Sequence, residues 1–326
     1  MGVISSPQLG VRPFRMTGGV TLQQLRASMN KDHFNPASVT PTQGWGGVTD
    51  TDYAIGSHPG PVFDVGGPII VRATSELPRR LRVRYYWMLS RPRARLAPNA
   101  DSTDWRSRHR LDAADVLLYE NADGSISGLT TTRDTRSVRT VFSALSTLAN
   151  SIAASNQVTT DNLPEALNED FFLWLVYRLQ DRQQLTPLVR LGGIIELSSK
   201  DRSLRPARFS ETVDMARIEL AALIALGDGS FGPAKLNLDV ALPALGADVT
   251  VHPDGGFQPL RSSTYEDGRL VGAAQATRLL DDLWVRVLPE LRSAYAADAD
   301  WQRTGRMSLR DDALGQVRAL LRIATT

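Results

Sequence analysis

The chain has 326 residues, of which 42% are apolar and 22% are charged, so it is long enough for one or two soluble globular domains. It contains no cysteine, which excludes disulfides, zinc–thiolate sites and cysteine nucleophiles and fits a reducing compartment. The net charge of +2 excludes a globally basic protein, and no apolar stretch reaches the roughly 20 residues that a membrane span needs. We therefore predict a cytoplasmic protein without membrane contact.

The first half of the chain alternates short strands with helices. A strand is predicted at Val11–Met16, and Thr21 is placed to cap the helix that follows it. After a Gly-rich loop anchored by Trp45, an apolar strand is expected at Pro68–Ala73. Because proline suits the first turn of a helix, we predict a helix over Pro78–Met88.

Each half also contains a hairpin that leads into an amphipathic helix. In the first half, Asn121–Gly124 is a strong turn signal between two strands, and Thr135 is the candidate cap of the next helix. In the second half the turn is Pro253–Gly256, and the long helix after it is expected to kink at Pro289. This shared pattern indicates two similar halves, with chance as the alternative because strand-turn-strand-helix units are common.

A helix predicted at Asn168–Arg182 lies between the halves. Asn168 can cap it, and Phe171–Val176 is apolar on every face, so other elements must cover it. We interpret it as the buried central helix that joins two halves, residues 1–165 and 166–326. The predicted fold class is α+β, with an antiparallel hairpin sheet packed by helices in each half.

Three further elements are expected in the second half. A helix is predicted at Glu211–Leu226, with Ser210 as its cap and Gly227 as its C-terminal stop. The clean alternation of Lys235–Val240 predicts a strand with one wet face. Ser308–Asp311 resembles a capping box and is expected to open the last helix.

No catalytic motif stands out in the sequence. Phosphate-binding loops, the serine-hydrolase elbow and histidine pairs at metal-ligand spacing are all absent. Glu196 and Lys200 resemble half of the carboxylate–lysine set of a metal-dependent nuclease, and an exposed strand end explains them equally well. We therefore predict a non-enzymatic protein with no catalytic residue, no metal and no cofactor.

The strongest functional signal is electrostatic. Between residues 79 and 110, ten arginines stand against two aspartates, which by subtraction gives a local charge of +8, and aromatic residues are interleaved. Arginine pairs with phosphate in a bidentate fashion and aromatic rings stack on bases, so the segment predicts a DNA-backbone contact, with a solvated Arg-rich surface as the alternative. The predicted DNA-binding residues are Arg79, Arg80, Arg82, Arg84, Arg91, Arg93, Arg95, Arg106, Arg108 and Arg110, together with a second cluster of Lys200, Arg202, Arg205 and Arg208.

Several stretches, taken in order, carry a resemblance to a known family. They are Phe34, Pro36 and Gly44-Trp45; Ile70–Ala73 with Leu77-Pro78; Tyr119–Gly128 with Leu145; Leu173–Leu175; Arg217–Asp239; and Leu280–Leu283. In this order the elements resemble the bacterial RdgC family of recombination-associated proteins. The chain departs from that pattern in having residues 91–110 where the family has a Lys- and Glu-rich helical stretch before its central hairpin.

The resemblance implies a non-enzymatic protein of the nucleoid that binds double-stranded DNA. Members form a ring dimer whose basic hole encircles the duplex, and they restrain RecA filaments, so the implied partners are DNA, a second copy of the chain and a recombinase. The first hypothesis is therefore sequence-independent duplex binding. The alternative is a structural or interaction protein of a phage or defence system without nucleic-acid affinity, and a metal-dependent nuclease ranks third.

Overall fold

The computed structural model describes residues 9–35, 43–46, 67–90, 109–181, 183–201, 205–210, 213, 216–227, 229–268 and 272–324. The chain divides into two compact units. The N-terminal unit comprises Ser6–Pro164 with Gly272–Thr277, and the C-terminal unit comprises Glu165–Val271 with Arg278–Thr326. Each unit contains an antiparallel sheet packed by helices, which confirms the predicted α+β class.

The N-terminal unit is built on a sheet whose strands follow the order β2-β4-β5-β6-β1-β7, with β3 also paired to β4. Helices α1 and α2 pack on one face of this sheet and bury a common apolar core. Its elements are β1 (Arg12–Thr17), α1 (Leu22–Lys31), β2 (Gln43–Trp45), β3 (Ile69–Val71), β4 (Arg80–Ser90), β5 (His109–Glu120), β6 (Ile126–Thr130), α2 (Thr135–Ile152) and β7 (Gln157–Thr159).

Both helices of this unit begin at local capping signals. The Thr21 hydroxyl accepts from the Gln24 amide at 3.3 Å, and the Gln24 side chain accepts from the Thr21 amide at 2.9 Å, so the predicted cap is confirmed as a full capping box. The cap of α2 is Asp134 and not Thr135, because the Asp134 carboxylate accepts from the Ser137 amide at 2.9 Å. The prediction was wrong there by one residue.

The segment predicted as a helix over Pro78–Met88 is strand β4. Its side chains alternate between the two faces of the sheet, so Leu81, Val83 and Tyr85 enter the core beneath α1 and α2 while the intervening arginines point to the other face. The segment is rich in aromatic and β-branched residues, which favour a strand. Pairing with β5 along the whole of β4 outweighs the helix-start signal of the proline.

Gly128 in β6 shows how tightly this core is packed. A Cβ atom at Gly128 would lie 2.2 Å from Cζ of Phe14, whose ring covers the glycine from β1. We expect Gly128→Ala to destabilise the protein by about 1–3 kcal/mol, because the ring must move in a filled core. Chemical denaturation measures this loss, and Gly193→Ala in a strand with open space above it is the matched control, expected to change stability by less than about 0.5 kcal/mol. Equal effects for the two variants would contradict the packing argument.

The C-terminal unit is built on a second antiparallel sheet, of order β12-β11-β10-β8-β9, with β13 also paired to β11. Alternate residues of β8, β10 and β11 are buried, and the wet face predicted for Lys235–Val240 is present. Its elements are α3 (Glu169–Asp181), β8 (Val189–Lys200), β9 (Pro206–Ser210), α4 (Ile218–Leu226), β10 (Ser230–Val240), β11 (Leu245–Val251), β12 (Phe257–Pro259), β13 (Thr264–Tyr265), the end of α5 (Gly272–Asp282), α6 (Leu288–Ala297) and α7 (Arg306–Ala324). The first part of α5, Gly272–Thr277, belongs to the N-terminal unit.

The two predicted hairpins both form, and each is followed by a helix. Asn121–Gly124 joins β5 to β6 ahead of α2, and Pro253–Gly256 joins β11 to β12 ahead of α5. The halves are therefore similar in local pattern. They differ in sheet order, because β6 lies between β5 and β1 whereas β12 ends its sheet in the described part of the chain.

Helix α3 is the buried central helix that the sequence predicts, and it packs on β8 and β10. Within Phe171–Val176 every side chain except Leu173 is at most 1% exposed. The Asn168 side chain accepts from the Phe171 amide at 2.9 Å, which confirms the predicted cap. Covering by the sheet explains why a helix that is apolar all round is stable in water.

Two carboxylates fasten α3 to the helices near the C-terminus. Asp298 accepts from Nε1 of Trp174 at 2.7 Å and from Nε of Arg178 at 2.6 Å, and its side chain is nearly buried. Asp170 on α3 accepts from the Tyr295 hydroxyl at 2.6 Å. Because the Asp298 carboxylate and its two donors are largely out of water, that contact is structural.

Three other helix boundaries differ from the prediction. Helix α4 begins later than Glu211, because Ser210 is in the edge strand β9 and does not cap a helix. Its predicted stop is confirmed, since Gly227 adopts a φ of 65°. Ser308–Asp311 lies inside α7, so it opens no helix. Pro289 lies in the first turn of α6, directly after a π-helical turn over Leu283–Val287.

Candidate nucleic-acid interface

Arg84 lies on β4 as half of a fully buried ion pair. Its Nε donates to Oδ1 of Asp115 at 2.8 Å, and both side chains are 0% exposed. A second guanidinium nitrogen donates to the Tyr86 hydroxyl at 3.4 Å. Burial alone would lower the pKa of Arg84, but the Asp115 carboxylate outweighs it, so the pKa is raised and the charge is retained. This guanidinium is committed to the fold and offers no surface to a DNA phosphate.

Arg80 and Arg82 share the same face of β4. Arg80 is 6% exposed, and one of its guanidinium nitrogens donates to the Pro78 carbonyl at 3.5 Å. Arg82 is partly buried, and its Nε is out of contact with water. Three predicted DNA contacts therefore lie largely within the folded unit, because strand alternation turns every second residue of β4 to this face.

The other described arginines of the segment, Arg79 and Arg110, lie at opposite ends of the β4–β5 pair. Arg79 is 3.7 Å from the Glu120 carboxylate, and its side chain is 32% exposed. Arg110 is 3.1 Å from Asp112, and its side chain is 47% exposed. The strands between them are roughly 30 Å long at about 3.4 Å per residue, so these two arginines do not form one patch.

The remaining predicted contacts lie outside the described residues: they are Arg91, Arg93, Arg95, Arg106, Arg108 and Arg202. Ser90 at the end of β4 pairs with His109 at the start of β5. The described residues that flank 91–108 in the chain are therefore paired in the sheet.

The second predicted cluster is brought together at the end of the β8–β9 hairpin. We call Lys200, Arg205 and Arg208 the hairpin cluster. Lys200 pairs with Pro206 across the strands, and the Arg205 amide donates to Asp201 at 2.8 Å, which fixes the turn. All three cationic side chains are exposed, and β9 is the edge strand of its sheet.

Arg208 has 71% of its side chain exposed. Its guanidinium donates to Glu196 at 2.5 Å across the hairpin, and this hydrogen bond raises the pKa of Arg208. Exposed ion pairs of this kind are weak, so a phosphate can displace the carboxylate. Lys235 on β10 lies directly opposite Glu196 and adds a cation that the sequence reasoning missed. The period-2 alternation of β10 was the signal that could have placed it on this face.

Glu196 and Lys200, which resemble half of a nuclease site in the sequence, lie at opposite ends of the β8–β9 pairing. The Glu196 carboxylate is bonded to Arg208. Among the described residues, no group of three or more histidine or acidic side chains could hold a metal ion. Lys200, Arg205 and Arg208 therefore make this hairpin predominantly positive, and Glu196 is the acidic partner of Arg208.

No protein-family model matches this chain, and no curated protein matches it either. Across the described ranges, none of the helices is both long and apolar enough to cross a membrane. The similarity to the RdgC family therefore remains a prediction that rests on the order of the sequence elements.

Proposed function

We propose that this protein binds double-stranded DNA without sequence preference and without bond chemistry. The observation that carries the proposal is the hairpin cluster, in which Lys200, Arg205 and Arg208 are exposed together on one edge of the C-terminal sheet. Closely spaced exposed cations bind a phosphate backbone by releasing its counterions. Backbone contacts position a protein on the duplex but carry no sequence information.

The edge position of β9 supports this proposal. A duplex is a large rigid rod, and cations that are exposed at a sheet edge can contact it without any rearrangement of the fold. Arginine forks match phosphate oxygens better than they match a single carboxylate oxygen, so Arg208 can exchange Glu196 for a phosphate. Arg202 follows Asp201 in the sequence and adds a fourth cation to this stretch of the chain.

The arginines of residues 91–108 are the second element of the proposal. Five arginines and two aspartates give this connection a charge of +3 by subtraction. Arg80, Arg82 and Arg84 of the same predicted segment lie largely within the fold, so this connection carries most of the remaining positive charge of the segment in the sequence. Ring formation around DNA and restraint of a recombinase, which the RdgC resemblance implies, are further expectations on which this proposal does not depend.

The proposal is tested by the affinity for a fluorescent random-sequence duplex, measured by anisotropy at low salt. Reversing the hairpin cluster (Lys200→Glu, Arg205→Glu, Arg208→Glu) is expected to weaken binding by at least about a hundredfold, because each reversal removes an attraction and adds a repulsion. A separate variant with Arg91, Arg93 and Arg95 changed to glutamate measures the share of the second element.

The matched control is Arg303→Glu. Arg303 is 74% exposed and 3.6 Å from Asp300, so it resembles Arg208 in exposure and in having an acidic partner, but it lies on a different element. The Arg303→Glu variant should have nearly the same duplex affinity as the wild type. Absence of wild-type binding to any random duplex at low salt would contradict the proposal. Equal losses of affinity for Arg303→Glu and the cluster variant would show that total charge, and not the hairpin cluster, governs binding.

An interaction protein without nucleic-acid affinity is the second candidate function. It is favoured by the exposure of large apolar side chains on α7, where Met307 and Leu321 are 62% and 60% exposed. Exposed apolar patches mark protein contacts more often than nucleic-acid contacts. This candidate predicts a defined assembly that is unaffected by the cluster reversal, together with no duplex binding.

A further inference from the structure

Helix α7 has an apolar stripe with two strongly exposed side chains. Met307, Leu314 and Leu321 are spaced by seven residues, so they lie on one face of the helix over four turns. Met307 and Leu321 are 62% and 60% exposed, and Leu314 is partly buried. The opposite side of α7 is anchored on α4, where Leu309 is 1% exposed. An amphipathic helix with a second apolar face is expected to have a second partner.

Leu226 at the end of α4 extends this surface. Its side chain is 64% exposed, and it lies next to Arg310, whose Nε donates to the Ala225 carbonyl at 3.1 Å. Arg310 is thus committed to the C-terminus of α4, where a cation is favourable. We call Leu226, Met307, Leu314 and Leu321 the α7 patch.

The order of the acidic and basic side chains beside the α7 patch indicates which partner the patch binds. Asp311 and Arg318 are both exposed, and they lie seven residues apart on the patch side of the helix. Within the part of the chain that the structure describes, neither has an ion-pair partner. When two helices with an acidic residue followed seven residues later by a basic residue pack antiparallel, the acidic residue of each helix can face the basic residue of the other.

We propose that α7 pairs with α7 of a second copy of this chain, antiparallel about a two-fold axis between Leu314 and Gly315. That axis sets Asp311 of each copy opposite Arg318 of the other, so two ion pairs form. It also sets each Leu314 opposite Gly315 of the other copy. A Cβ at Gly315 would have no neighbour within 4 Å, which leaves room there for an incoming leucine.

A second copy fits this surface better than an unrelated partner does. The two-fold relation uses the same residues twice and satisfies both charges at once, whereas an unrelated partner would need its own matched charges. The interface is one helix pair, which is small against the roughly 800 Å² per subunit of a standard complex. The dimer is therefore expected to be reversible at micromolar concentration.

The test is sedimentation velocity of the full chain from roughly 1 to 100 µM, the range in which a small interface dissociates. The wild type is expected to pass from monomer to dimer. Asp311→Arg should raise the dissociation constant by about tenfold or more, because it sets two arginines against each other twice. Arg318→Asp should do the same with two aspartates.

The exchange of both charges in one chain, Asp311→Arg with Arg318→Asp, restores the two opposite-charge pairs and should return the dimer to near wild-type strength. Leu321→Asp should abolish the dimer through the apolar patch alone. These side chains are exposed, so circular dichroism should show unchanged folding in every variant. The proposal would be overturned if the wild type stayed monomeric, or if Asp311→Arg left the dissociation constant of the dimer unchanged. It would also be overturned if the double variant did not regain dimerisation.

Discussion

Arg84→Ala is expected to destabilise the protein by about 3–5 kcal/mol, because it leaves the Asp115 carboxylate buried without its counter-charge. Both side chains are 0% exposed and their charged atoms are 2.8 Å apart, so water cannot replace the lost partner. The measurement is the free energy of unfolding from urea denaturation near neutral pH. Because the pKa of Arg84 is raised, its contribution is fully present below its ordinary value and does not change over the accessible pH range.

The double variant Arg84→Met with Asp115→Leu separates the charge from the packing. Replacing a buried pair by apolar residues of similar volume is often neutral, so this variant should recover most of the lost stability. Arg303→Ala, at an exposed ion pair, is the control and should change stability by less than about 0.5 kcal/mol. If Arg84→Ala were as mild as that control, Arg84 would be free for DNA and the assignment of β4 to the core would be mistaken.

Asp298→Ala is expected to cost about 2–4 kcal/mol, the second largest effect. It leaves Nε1 of Trp174 and the Arg178 guanidinium without their acceptor, and it removes the acceptor of the Trp301 amide at 3.0 Å. The loss should appear in the unfolding of the C-terminal unit, because all of these groups belong to it. Tryptophan fluorescence during urea unfolding measures it directly.

The same carboxylate predicts an acid dependence of stability. Burial alone would raise the pKa of Asp298, but hydrogen bonds from Trp301, Trp174 and Arg178 lower it below its ordinary value. A lowered folded-state pKa contributes stability that is present above about pH 4 and is lost as the pH falls through the folded value. Asp298→Asn should therefore be less stable near neutral pH and should lose less stability on acidification. Parallel pH profiles for the two proteins would contradict this role.

The parts of the fold that the sequence predicts well depend on contacts within a few residues. The capping box at Thr21, the Asn168 cap and the Gly227 stop each involve atoms three or four residues apart, so their signals are complete in the local sequence. The two hairpin turns are local in the same sense. The formation of these local features does not depend on contacts with distant parts of the chain.

The parts that the sequence predicts badly depend on distant partners. The proline at position 78 favours a helix locally, and only pairing with β5 makes Arg80–Ser90 a strand. Arg84 is 31 residues from Asp115, so no local pattern distinguishes a buried arginine from an exposed one. The candidate site changes for the same reason, because the arginines of β4 enter the fold while the hairpin cluster stays in solvent.

The claim of DNA binding through the hairpin cluster is tested most directly by the salt dependence of duplex affinity. The logarithm of the association constant should fall linearly with the logarithm of the salt concentration, with a slope of about −0.9 for each neutralised phosphate. Neutral replacement of Lys200, Arg205 and Arg208 by glutamine should make that slope shallower by about 2.7. An unchanged slope in the glutamine variant, or wild-type affinity that is indifferent to salt, would contradict the claim.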